Sequence, residues 1–253
     1  DNANYLLDVL KAASYLWHGR HIIMSKDRYD TFSRRDNSTI GLVDVDLFAP
    51  ANGHDSVTDM AQLPIVAGGS GSGKTHTSLL HVKKYSEKER EFGIYLTRSD
   101  LTDATYDVKT TTDSEQAAHG APANTTRITS KHWVDSDMTG VDRNDAACCL
   151  LVNAIKGVLN KKTATTFADL TIRPSCTLPT RIVVIIDEIG SCPNFLRALC
   201  EVNEAEDLAA RGAKLGLGNI PVKIIAVGSG VDAVMTQPGS LPGLFRLIRL
   251  GLA

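Results

Sequence analysis

The feature that most constrains this sequence is the run Gly-Gly-Ser-Gly-Ser-Gly-Lys-Thr at residues 68–75. The short apolar run at 63–67 predicts a buried strand before it, and the pattern from Thr77 to Val82 predicts a helix after it. Glycines let a backbone turn sharply and approach a ligand closely. Successive N–H groups in front of a helix N-terminus attract anions. The run therefore predicts a strand, an anion-binding loop and a helix in series, and a flexible Gly/Ser linker is the alternative.

The same run matches the phosphate-binding pattern G-x-x-x-x-G-K-[ST]. Lys74 would supply a point charge for the outer phosphates of a nucleotide. Thr75 would offer its hydroxyl to Mg²⁺. The predicted nucleotide-binding residues are those of the loop and of the start of the helix: Gly68, Gly69, Ser70, Gly71, Ser72, Gly73, Lys74, Thr75 and His76.

A second motif lies downstream, where the β-branched run 181–186 ends in Asp187 and Glu188. Such a continuous apolar run is typical of a strand buried on both faces of a parallel sheet. Ligands of open α/β sheets bind at the carboxyl ends of the strands. We expect Asp187 to hold Mg²⁺ through water beside Thr75, and Glu188 to orient or deprotonate an attacking water. The alternative is a core strand that happens to end in two surface acids.

Composition limits the class of protein without identifying it. The chain has 253 residues, 43% of them hydrophobic, and a formal net charge of -2, which argues against a chain-wide surface for polyanions. Five cysteines without a C-x-x-C pair predict reduced thiols and an intracellular compartment, cytoplasm or nucleus. No apolar run approaches the length of a membrane span, so no membrane association is predicted.

The pattern along the chain divides it into an extension and a core. Residues 1–60 are predicted as an N-terminal extension with a helix over 4–21 and a half-exposed strand over 40–48, and residues 61–253 as the core. Within the core we expect a second strand at 92–97, a surface insertion at 99–142 and a helix at 143–160. Further strands are expected at 222–229 and 242–250. The first residue is not Met and little sequence follows the last predicted strand, so the chain is expected to be a fragment.

In order along the chain, the segments GGSGSGKT, IYLT, VVIIDEIG, IIAVGSG and FRLIRL resemble the AAA+ and related P-loop ATPases. The resemblance implies an α/β three-layer sandwich with a five-stranded, mainly parallel sheet and an extra strand between the two motif strands. It implies ATP and Mg²⁺ as ligands, and a homo-oligomer or larger assembly. Ser229 would be the residue that senses the γ-phosphate, and Arg246, just before the last strand, would be an arginine finger. A turn serine and a surface arginine are the alternatives for these two residues.

A narrower resemblance rests on DEIGSCPNFLRALC, AVGSGVD and PGSLPGLFRL. These segments look like the ATPase modules of kinetoplastid retrotransposon hot spot proteins and Crinkler effectors, which leaves a nucleic-acid partner open. Two departures from the AAA+ pattern matter: the helical lid after the last strand is expected to be absent, and the insertion after the second strand is long. Both departures argue against ring assembly and full turnover.

Several functions fit these motifs. The leading prediction is an ATPase that remodels a protein or a nucleic acid, because an acid directly after Asp187 favours water as the phosphoryl acceptor. A nucleotide-dependent switch or scaffold with little hydrolysis is the main alternative. A small-molecule kinase and a helicase fragment are weaker ones. ATP is predicted over GTP by elimination, since the chain lacks an Asn-Lys-x-Asp motif.

Overall fold

The computed structural model describes residues 15–16, 22–35, 47, 63–89, 91–103, 105–110, 124–129, 143–158, 181–192, 195–196, 198–199, 222–231 and 245–251. The described strands are β1 (Tyr15–Leu16), β2 (Ile22–Met24), β3 (Leu63–Gly68), β4 (Glu91–Leu96), β5 (Thr105–Thr110), β6 (Asn124–Thr129), β7 (Arg181–Ile186), β8 (Val222–Gly228) and β9 (Phe245–Leu250). The described α-helices are α1 (Lys26–Arg35), α2 (Lys74–Glu89), α3 (Arg98–Asp103) and α4 (Arg143–Val158), and a 3-10 turn spans Ile189–Ser191.

Among the described residues, seven strands form one sheet in the order β1-β2-β4-β7-β8-β3-β9. Neighbouring strands run parallel, except β1 and β2, which are antiparallel. The chain therefore has an α/β fold with a largely parallel sheet, consistent with a P-loop-like sandwich. The predicted extra strand is confirmed, because β8 pairs with β3 on one side and with β7 on the other.

The prediction of five strands is too low, because β1 and β2 extend the sheet beyond β4. These two strands are too short to show a period of two in the sequence. β1 also corrects the N-terminal helix predicted over 4–21, since Tyr15 and Leu16 are in a strand. The rest of that predicted helix lies outside the described residues. So does the strand predicted over 40–48, apart from Leu47, which is buried in a turn.

The core lies on both faces of the sheet. On one face, alternate residues of the strands pack with Leu79 and Val82 of α2. The intervening strand residues, such as Ile65, Val184 and Ile224, are fully buried as well. Burial on both faces is what near-continuous β-branched runs predict for parallel strands. The parallel pairing of β8 with β3 and with β7 places the carboxyl ends of these three strands at one edge of the sheet.

The segment predicted as a surface insertion contains regular structure. Asp100 supplies one half of a capping box, because its Oδ2 accepts a hydrogen bond from the Thr97 N–H at 2.8 Å. The same oxygen accepts a hydrogen bond from the Thr97 hydroxyl at 3.0 Å. This cap begins α3 directly after β4. β5 and β6 then pair as an antiparallel hairpin, and α4 confirms the helix predicted over 143–160. The domain limits remain a prediction.

In the described part of the chain, no helix combines the length and apolar character that a membrane span requires.

Candidate functional site

The carboxyl ends of three adjacent strands bring the predicted residues to one edge of the sheet. β3 ends at Gly68 and leads into the glycine-rich loop, and β7 ends directly before Asp187 and Glu188. β8 lies between them and ends directly before Ser229. The loop, the acidic pair and the serine therefore lie at the same edge, as ligand sites of parallel sheets do.

The glycine-rich loop has the conformation that its composition predicts. Gly71 and Gly73 have φ values of 79° and 82°, a region that residues with a Cβ rarely adopt. The Ser72 hydroxyl donates a hydrogen bond to the Gly69 carbonyl at 2.9 Å, and Lys74 Nζ donates to the same carbonyl. The Lys74 ammonium is therefore folded back onto the loop that forms the predicted anion site.

α2 begins within this loop and is connected to the acidic strand by one side-chain hydrogen bond. The Thr77 N–H donates to the Gly73 carbonyl at 2.8 Å, which closes the first turn. On that turn, Thr75 Oγ1 donates to Asp187 Oδ2 at 2.6 Å. His76 lies beside Thr75 and is partly exposed. The two sequence motifs thus meet in space through Thr75 and Asp187.

The Asp187 carboxylate is buried, with 6% of the residue exposed, and it accepts three described hydrogen bonds. Oδ2 accepts from Thr75 and also from the Tyr95 hydroxyl at 2.6 Å, while Oδ1 accepts from the Glu188 N–H at 2.8 Å. Tyr95, on β4, was not among the predicted site residues. Burial, followed by the charge of Asp187, raises the pKa of the Tyr95 hydroxyl well above its ordinary value. This hydroxyl therefore stays protonated and remains a donor.

Glu188 has a strained backbone. Its φ of 64° and ψ of 23° lie in the left-handed region, which costs a non-glycine residue on the order of 1 kcal/mol. Such strain persists only where the surroundings hold it, and it is concentrated at functional sites. The hydrogen bond from the Glu188 N–H to Asp187 is one such contact. The side chain is 55% exposed at the edge of the sheet, and Oε2 lies 3.9 Å from Arg28 Nη2.

α1 places two residues of one helical face against this site. Arg28 and Phe32 are one turn apart, so their side chains lie on the same side of the helix. The Phe32 ring meets the Tyr95 ring edge-on, with centroids 5.4 Å apart and an interplanar angle of 89°. Arg28 lies near Glu188. The sequence motifs did not indicate this contribution, because it comes from the segment before the loop and depends on the unpredicted strand β2.

Gly190 lets the turn after the acidic pair lie directly against the end of β8. A Cβ built on Gly190 would overlap the Ser229 carbonyl oxygen, and one on Gly228 would lie 2.8 Å from the Gly190 nitrogen. Both contacts are too close for any side chain. These two glycines therefore fix the position of Ser229 relative to Glu188.

We expect Gly190→Ala to destabilise the fold by about 1–3 kcal/mol, the usual cost of overpacking, because the obstructing atom is backbone. Gly157→Ala is the matched control, since a Cβ there meets nothing within 4 Å and the residue lies inside α4. Alanine in a helix is favoured over glycine by about 0.5–1 kcal/mol, so this variant is expected to be stabilised. Denaturant unfolding of both variants measures the difference, and equal free energies would contradict the close contact.

Arg246 is not at this edge. It is the second residue of β9 rather than preceding the strand, and it pairs with Pro64 near the amino end of β3. Gly68, where the loop begins, is four residues further along, about 13 Å at the usual rise per strand residue. The structure thus brings together Lys74, Thr75, Asp187, Glu188 and Ser229 within one chain, but not Arg246.

The donor set suits a hard divalent cation that keeps much of its water. Mg²⁺ is usually bound by one or two protein oxygens together with phosphate oxygens and waters. The Thr75 hydroxyl supplies such an oxygen, and the Asp187 carboxylate, whose Oδ2 lies 2.6 Å from Thr75 Oγ1, can accept a hydrogen bond from a water bound to the ion. Among the described residues, we find no group of three or more His, Cys, Asp or Glu side chains that could hold a metal ion by themselves. The residues present therefore fit a cation held jointly with a phosphate.

Comparisons with known proteins give matches among solved structures. No family model matches the chain, and no curated protein matches it. Among solved structures, the chain is similar to the ORC2 protein of Aeropyrum pernix in ADPNP–ADP complexes, with 14% identity and a TM-score of 0.31. The match covers 76% of this chain and 42% of that one, so the chain spans less than half of the similar structure.

Proposed function

We propose that this chain is a P-loop ATPase of AAA+-like type, which binds ATP with Mg²⁺ and couples its hydrolysis to remodelling of a protein or nucleic-acid partner. The observation that carries the proposal is the hydrogen bond from Thr75 Oγ1 to Asp187 Oδ2. It joins two motifs that lie 112 residues apart in the sequence. Phosphoryl transfer to water requires a loop that binds the phosphates and carboxylates beside it, and here the two are in direct contact.

Each residue has a role that its position allows. The loop from Gly68 to Gly73 presents its backbone N–H groups to the β- and γ-phosphates, and Lys74 leaves the Gly69 carbonyl to bind them. Thr75 would hold Mg²⁺ directly and Asp187 would hold it through water, and the ion would neutralise charge on the phosphates. Glu188, exposed at the same edge, orients the attacking water and accepts its proton. Ser229 contacts the γ-phosphate or that water.

A switch or scaffold that binds ATP with little hydrolysis is the second candidate. The observation that favours it is Arg28, whose guanidinium lies 3.9 Å from the Glu188 carboxylate. A carboxylate that pairs with arginine is less available to a water molecule. Hydrolysis would then depend on a partner that draws Arg28 away.

The direct test is to measure ATP and GTP binding by the purified chain, and then ATP turnover in Mg²⁺ with and without DNA or RNA. Binding of ATP followed by turnover supports the ATPase, and stimulation by nucleic acid identifies the partner class. ATP binding without turnover under all conditions favours the switch. Absence of nucleotide binding would refute both functions, and preferential binding of GTP would refute the choice of nucleotide.

Arg246→Ala tests whether that residue acts in a neighbouring subunit. Since Arg246 lies away from the loop of its own chain, we expect turnover to fall only in an assembled state, by at least about tenfold given the effects of arginine fingers. Turnover measured across protein concentration, beside size-exclusion chromatography, distinguishes the two states. An equal loss in dilute monomer would count against a role between subunits.

A further inference from the structure

Tyr95 is a polar side chain that lies outside both sequence motifs and contacts the proposed site at a single atom. Its hydroxyl donates to Asp187 Oδ2 at 2.6 Å, and the residue is 2% exposed. We propose that Tyr95 is a positioning residue for the cation, which holds the Asp187 carboxylate in the orientation that aims the Thr75 hydroxyl. The inference rests on the proposed function and adds a residue to its metal site.

The number of acceptor positions on Asp187 supports this role. A carboxylate oxygen offers about two lone pairs, and on Oδ2 both are used, one by Tyr95 and one by Thr75. One lone pair of Oδ1 accepts a hydrogen bond from the Glu188 N–H. Oδ2 therefore has no lone pair left for direct contact with a cation while both hydroxyls donate to it. The contribution of Oδ2 is to orient the Thr75 hydroxyl.

The Thr75 hydroxyl is the group through which this orientation acts. Because its proton is directed at Asp187 Oδ2, its own lone pairs face away from the carboxylate and are available to a cation. A rotation of the carboxylate would turn the hydroxyl and these lone pairs with it. Partners that orient a metal ligand in this way usually matter nearly as much as the ligand.

Tyr95 is well suited to hold a carboxylate still. Its ring is buried in the core cluster and is supported by the edge of Phe32 at 5.4 Å. The hydroxyl at the end of this ring donates directly to Asp187 Oδ2. A water molecule in this place would be a looser donor. The side chain is thus held by the core while its hydroxyl contacts the carboxylate, which is what positioning requires.

The test compares ATP affinity in Mg²⁺ and in EDTA for the unaltered chain, Tyr95→Phe and Phe32→Leu. We expect Tyr95→Phe to weaken affinity in Mg²⁺ by about tenfold, the lower end of the 10- to 100-fold effects of partners of metal ligands, and to leave affinity in EDTA unchanged. Phe32→Leu keeps the hydroxyl and removes the ring that supports it. The rest of the core cluster still packs on the Tyr95 ring in this variant, so its loss of affinity in Mg²⁺ is expected to be smaller than that of Tyr95→Phe.

A double variant provides a second readout. Because Tyr95 acts through Thr75, Tyr95→Phe is expected to change Mg²⁺-dependent affinity by less than about twofold in a Thr75→Ala background, which is the non-additivity of coupled residues. Full additivity of the two changes would overturn the inference. The unfolding temperature of each variant shows whether any loss comes from the fold instead.

Two further outcomes would overturn the inference. Equal weakening by Tyr95→Phe in Mg²⁺ and in EDTA would assign Tyr95 a purely structural role. Unchanged affinity in both conditions would assign its hydroxyl no role. If the unaltered chain binds no nucleotide, the proposed function fails and this inference fails with it. If the unaltered chain binds ATP in a Mg²⁺-dependent way and Tyr95→Phe leaves this affinity unchanged, the inference is refuted while the proposed function stands.

Discussion

Lys74→Ala is expected to weaken ATP binding by roughly 10- to 150-fold, the equivalent of the 1.5–3 kcal/mol that a hydrogen bond to a charged group contributes. In the structure, Lys74 Nζ donates to the Gly69 carbonyl, a contact that it can exchange for phosphate oxygens when a nucleotide binds. The loop itself is held independently of this contact, because the Ser72 hydroxyl also donates to Gly69. The loop should therefore survive the substitution while its charge is lost.

Lys74→Met is the control for this experiment. It keeps the length and the apolar stem of the side chain but removes the ammonium group, so a similar loss in both variants assigns the effect to charge. Titration with a fluorescent ATP analogue measures the affinity, and thermal unfolding confirms that both variants are folded. An affinity within about threefold of the unaltered chain, under 0.7 kcal/mol, would refute the phosphate-binding assignment of the loop.

Glu188→Gln is expected to lower ATP turnover by about 10²-fold or more while ATP affinity stays the same. A residue that acts mainly in the transition state reduces kcat and kcat/KM together. Glutamine has nearly the same shape as glutamate, and the strained backbone and its N–H donor to Asp187 are kept in this variant. What is lost is the carboxylate that orients water and accepts a proton.

Glu188→Gly separates the backbone from the side chain. Glycine adopts a φ of 64° without strain, so this variant is expected to be as stable as the unaltered chain or more so, yet equally inactive. Steady-state phosphate release measures turnover, and equilibrium titration measures binding. Unchanged turnover in Glu188→Gln would remove Glu188 from the mechanism. A parallel loss of ATP binding would indicate that it acts on the bound nucleotide instead.

Much of the central sheet could be predicted because the signals are local. The strands β3, β4, β7 and β8 are apolar runs bounded by glycine or charged residues, and each was predicted close to its observed limits. β1 and β2 were not predicted, because two- and three-residue strands are too short to show a period. They form only because β2 adds to the edge of β4, which is a tertiary contact. α3 also begins at a local signal, the hydrogen bond from the Thr97 N–H to Asp100 Oδ2.

The candidate site was predictable where a motif specifies it. Lys74, Thr75, Asp187 and Glu188 follow from two motifs, and the structure brings them together. The roles of these residues remain predictions until the variants above are measured. Tyr95 could not be found in this way, because a tyrosine within an apolar strand is indistinguishable from an ordinary core aromatic. Its partner Asp187 is 92 residues away in the sequence.

The sequence by itself determined the glycine-rich loop, the acidic strand end and the α/β character, because each depends on the conformational limits or the burial of neighbouring residues. The tertiary structure decided which further side chains surround Asp187 and Glu188. Tyr95 and Arg28 reach them only through the pairing of β2, β4 and β7. It also separated Arg246 from the loop, since the parallel register of β3 and β9 sets it at the amino end of the strand. Register and strand order depend on contacts between distant segments, and no local pattern encodes them.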